Sequence, residues 1–60
     1  MLVKLIHAKM GRIVTVDVVS GIVKMRDMFA LSSQPPAVSR VADPEEYIDN
    51  LKALKWRVQG

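Results

Sequence analysis

Two glycines ten residues apart, Gly11 and Gly21, constrain this chain most, because they divide a Val-, Ile- and Leu-rich first half into three segments of similar length. Glycine supplies the positive φ that tight turns demand, so the pattern reads as strand, turn, strand, turn, strand. Strands are expected at about 2–9, 12–19 and 22–29. With Met10-Gly11 and Ser20-Gly21 at the turn centres, facing residues sum to 21 in the first hairpin and to 41 in the second.

Alternation along a strand then sorts side chains onto two faces. One face gathers Val3, Leu5 and His7, then Val14, Val16 and Val18, then Val23, Met25 and Asp27. Its centre is wholly apolar and is expected to be the core. The other face carries Leu2, Lys4, Ile6, Ala8, Ile13, Thr15, Asp17, Val19, Ile22, Lys24, Arg26 and Met28. In this register Lys4, Asp17 and Lys24 form one row, with a carboxylate between two ammonium groups, a favourable cross-strand arrangement. A helical spacing of Ile22, Met25, Met28 or Phe29 and Ser32 competes, and would make a short helix of residues 21–31. The strand is preferred because Ser20-Gly21 suits a turn and the charge row needs a third strand.

Residues 32–43 show neither period. Pro35 and Pro36 exclude a helix there and disfavour a central strand, so the segment is expected to be a crossover loop. A single Pro-Pro pair is a weak signal for a recognition segment. The next helix, expected at about 44–55, has a well-marked start. Asp43 is a natural N-cap, Pro44 suits the first helical position, and Glu46 completes a capping box. Tyr47, Ile48, Leu51 and Leu54 make one apolar stripe to cover the valine face. Trp56 and Val58 follow at once, as a short fourth strand or a packed tail, with Trp56 read as core. The fold class is α+β: a three-stranded antiparallel meander packed by one C-terminal helix, β-β-β-α, in a single domain spanning 1–60.

Sixty residues leave room for one small core, and a chain this short buries only about 60% of its unfolded surface. Such domains commonly add a disulfide, a metal or a partner. There is no cysteine and only one histidine, His7, so association is the remaining staple. No secretory signal and no run of about 18 apolar residues is visible, and a cytoplasmic, free-standing protein is expected. Half the residues are apolar and the net charge is +3, which suits a folded protein that tolerates an anionic partner.

No catalytic, cofactor or metal set emerges. His7 and Asp27 flank Val14 on one face, but no nucleophile is tied to them. Glu45, Glu46 and Asp49 read as a solvated helix face and dipole partners. No phosphate-binding glycine loop or metal-ligand spacing occurs. The protein is therefore expected not to be an enzyme, and to have no cofactor, membrane or small-molecule substrate.

What remains is the second sheet face. Seven of its twelve residues are apolar, too many for a face left bare to water. The first expectation is a small regulatory or adaptor protein acting through protein–protein contact, self-association included, with Ile6, Ile13, Ile22 and Met28 at the interface. The alternative is nucleic-acid binding through Lys4, Arg12, Lys24 and Arg26. A three-stranded sheet backed by a C-terminal helix is similar in layout to the arm-binding domains of tyrosine recombinases, and that resemblance implies a sheet laid on DNA. The likeness is one of layout and not of any residue motif. Against it, Asp17 sits among the cations and the sheet has no aromatic pair on which bases could stack.

Overall fold

The computed structural model describes residues 1–29 and 35–59. Three hairpin-connected strands come first: β1 (Leu2–His7), β2 (Arg12–Asp17) and β3 (Ile22–Asp27). A fourth strand, β4 (Ala37–Arg40), precedes helix α1 (Pro44–Ala53), and β5 (Arg57–Gln59) closes the chain. All strands lie in one antiparallel sheet of order β4-β3-β2-β1-β5, so α1 carries the chain from one edge of the sheet to the other. The fold is thus a small α+β one. The three-stranded meander becomes five strands, with the helix after β4.

The two glycines do terminate the turns, but each loop is longer than the sequence suggested. Facing residues sum to 19 between β1 and β2, as in Leu5↔Val14, and to 39 between β2 and β3, as in Val14↔Met25. Each strand therefore ends two residues early, and a four-residue loop follows β1 and β2. Gly11 and Gly21 occupy the last loop position at φ +66° and +76°, a backbone region open to glycine and costly for other residues. A shift of two leaves every side chain on its predicted face, because the strand period is two. It does dissolve the charge row: Thr15, not Asp17, lies between Lys4 and Lys24. Asp17 pairs with Leu2, and its carboxylate turns to the loop, accepting from Val19 N at 3.0 Å and Ser20 N at 3.4 Å.

The valine face is the core. Leu5, Val14, Val16 and Val23 are fully buried and meet Ile48, Leu51 and Trp56, with Val3, Val18, Met25, Val41 and Tyr47 at the margin. Full burial of each such side chain contributes about 1.5–3 kcal/mol, the main return available to so small a domain. Residues 22–27 form a strand, which overturns the competing helix; residues 30 and 31 of that alternative lie outside the described residues. The expected crossover loop 32–43 contains β4, an exposed edge strand that starts directly after Pro36. Prolines exclude a central strand but not an edge one, because an edge leaves half its amides unpaired. Residues 32–34 of that loop lie outside the described ones.

Helix α1 begins as its sequence dictates: the Asp43 side chain accepts from Glu46 N at 3.1 Å. It ends at Ala53 in a Schellman closure, with Trp56 N donating to Leu51 O and Lys55 N donating to Lys52 O. That closure buries Trp56 against the core and leaves Leu54, the last member of the predicted stripe, 65% exposed. It also places Lys55 at φ +72°, where glycine is the usual residue. The tail then pairs with β1 through Leu5↔Val58, so Trp56-Val58 leads into a strand, the fifth rather than the fourth.

Candidate interaction surface

The side of the sheet opposite α1 is uncovered among the described residues. Its membership follows from the register. One row runs Gln59, Lys4, Thr15, Lys24, Val38 across all five strands. A second runs Arg57, Ile6, Ile13, Arg26. At the far end Leu2 faces Asp17 and Ile22 faces Arg40. Ile6 and Ile13 stand side by side in the second row and Ile22 lies at the far end, all three half-buried, with Lys4, Thr15 and Lys24 between them, while Leu2 and Val38 are 67% and 62% exposed. A hollow of about 140 Å³ opens between Leu2, Thr15, Asp17, Ile22 and Lys24.

Five cations share the face with these isoleucines: Lys4 and Lys24 in the middle row, and Arg26, Arg40 and Arg57 around it. The single acid on the face, Asp17, is already engaged. Hydrogen bonds from the amides of Val19 and then Ser20 hold its carboxyl below the usual carboxylate range, and the chain's amino terminus lies 3.9 Å away. The helix side holds most of the acids, with Asp43, Glu45, Glu46 and Asp49 all exposed, beside the cations Arg12 and Lys52. The open face is thus the more basic of the two, although the net charge is only +3.

Of the residues singled out from sequence, Ile6, Ile13 and Ile22 share this face, as do Lys4, Lys24 and Arg26. One does not belong to it, and one lies past its end. Arg12 pairs with His7 and Asp27 on the helix side of the sheet, because its parity is that of Val14 and Val16. Met28 falls beyond the end of β3, in a turn, where its amide donates to Gly11 O. The members missed were Val38 and Arg40, from a strand the sequence did not specify, and Arg57 and Gln59, from a tail it offered as a short strand or a packed end. The one signal for β4 was the alternation of Val38 and Arg40, too short to distinguish from a loop.

His7 and Asp27 are not joined, since Arg12 stands between them. His7 Nδ1 accepts from Met10 N at 3.1 Å, and its ring meets Trp56 edge-on, centroids 5.3 Å apart. Asp27 caps its own turn by accepting from Phe29 N at 2.9 Å. Both are local structural contacts. Among the described residues no helix is long and apolar enough to cross a membrane. Comparison with protein-family models, with curated proteins and with solved structures found no match. The fold and the open face define a small α+β protein with one dressed and one bare sheet surface.

Proposed function

We propose that this is a non-enzymatic regulatory or adaptor protein that docks a protein partner on the open face of its sheet. The observation that supports it is the composition of that face: three half-buried isoleucines interleaved with five cations. Isoleucines and arginines on one uncovered face fit the mixed apolar and polar make-up of a non-obligate protein interface, in which Arg is enriched. The sheet edges offer less, because β4 and β5 are only four and three residues long and prolines precede β4. The partner fitted best sets apolar side chains and carboxylates side by side. Two copies stacked face to face would set five cations against five, which favours a different chain over a symmetric dimer.

Nucleic acid is the second reading, favoured by the excess of cations. Five strands span about 19 Å, wider than the major groove at about 12 Å, so the sheet does not enter the groove as a whole. The face also carries no aromatic side chain for stacking. Both considerations place protein first.

The test is size-exclusion of the tagged protein from extract of its native cells. The protein reading expects a complex well above 6.7 kDa that survives nuclease. Ile13→Lys with Ile22→Lys returns the protein to the monomer position while the melting curve remains cooperative. Collapse on nuclease treatment supports nucleic acid, purified protein eluting as a dimer supports self-association, and a complex indifferent to the isoleucine change refutes the proposed face.

A further inference from the structure

At one corner of the molecule the β1–β2 loop, the end of α1 and the start of β5 enclose an open cavity of about 410 Å³, lined by Ile6, His7, Ala8, Lys9, Lys55 and Arg57. Its polar chemistry has one sign. Lys9, Lys55 and Arg57 can only donate hydrogen bonds. Among the described residues none of the three has a carboxylate oxygen within 4.0 Å. His7 joins them: with Nδ1 occupied as acceptor of the Met10 amide, the ring proton resides on Nε2, which is therefore a donor. No acidic side chain lines the space.

Lys55 adds an independent observation. It occupies φ +72°, where glycine would be relaxed, and its side chain lines the cavity. Complementing the helix dipole does not account for it, because Lys52 already sits in the last turn and the terminal carbonyls are bonded by Leu54, Lys55 and Trp56 amides. We propose that this corner binds an oxyanion of the phosphate class, either a free phosphoryl compound or the backbone phosphate of a nucleic acid. The site shares Ile6 and Arg57 with the open face but does not depend on that face having a protein partner.

Amide NMR titrations of the ¹⁵N-labelled protein test this, one with pyrophosphate and one with an oligothymidine, each at fixed ionic strength. Saturable shifts at Ala8, Lys9, Lys55 and Arg57 are expected. Lys55→Gly raises the melting temperature yet weakens binding roughly tenfold, the loss of one charge-assisted contact. Arg57→Glu abolishes binding, and Lys52→Gln, at the same helix end but outside the cavity, leaves it unchanged. Saturation by pyrophosphate identifies a free phosphoryl ligand, and saturation by the oligonucleotide alone identifies backbone phosphate. The proposal is overturned if neither probe saturates at this corner, or if Lys55→Gly binds as well as the parent protein.

Discussion

Gly11 and Gly21 have almost the same backbone, yet replacing each with alanine should cost different amounts. Both sit at positive φ, so each alanine incurs about 1–2 kcal/mol of left-handed strain. Reduced freedom of the unfolded chain offsets about 0.4–1 kcal/mol of this. At Gly11 the new Cβ would meet only the ring of Phe29 at 3.2 Å, and that ring, 85% exposed, can move aside. At Gly21 it would lie 2.6 Å from the carbonyl oxygen of Val41, a backbone atom. Relief there requires β4 to retreat, which breaks the 2.9 Å hydrogen bond from Val41 N to Gly21 O, worth about 0.5–1.5 kcal/mol. Gly11→Ala should therefore lose about 1 kcal/mol and Gly21→Ala about 1.5–2.5 kcal/mol. In a domain this small those losses lower the melting temperature by about 4–8 °C and by about 6–20 °C respectively. Urea unfolding gives the energies, and hydrogen exchange at Val41 and along β4 shows where the second one acts. Equal costs, or unchanged exchange at Val41 in Gly21→Ala, would refute the docking of β4 beside this turn.

The other predictions concern caps, charge and core. Asp43→Ala removes the acceptor for Glu46 N and should cost about 1 kcal/mol by urea unfolding. Asp17 has its carboxyl held low in the folded state, so the ionised form stabilises the turn above about pH 4 and the benefit fades as pH falls through and below that value. The stability gap between the parent protein and Asp17→Ala should accordingly shrink on acidification, and a pH-independent gap would contradict the assignment. Trp56→Ala empties the space between Leu51 and β1 and should cost about 3–5 kcal/mol, comparable with the whole stability of about 3–9 kcal/mol expected for 60 residues. A cooperative melt retained at near-parental temperature would show that Trp56 is not core.

The valine face, the helix start and the strand nature of residues 22–27 could all be read from residues alone, because each follows from a local rule. Alternation assigns Leu5, Val14, Val16 and Val23 to one side whatever the loop length, provided the error is even. The register itself was not legible, since Ala8-Lys9-Met10-Gly11 and Val18-Val19-Ser20-Gly21 permit either a two- or a four-residue loop. What selects the longer one is a set of side-chain acceptors, His7 for Met10 N and Asp17 for Val19 N and Ser20 N. Strand β4 escaped, and β5 stood only as an alternative to a packed tail, for a different reason. Four and three residues carry too little period to announce a strand, and they form because β3 and β1 offer edges. That omission matters to function, for it hid Arg40 and Arg57 and made the open face look more apolar than it is.

The most direct measurement of that face is a radical footprint of the protein in its native extract against the purified chain. The proposed function expects Leu2, Ile13, Ile22 and Val38 to be protected in extract, with Leu54 and Phe29, exposed away from the face, labelled equally in both. Protection confined to the helix side, or none at the four positions, would contradict it.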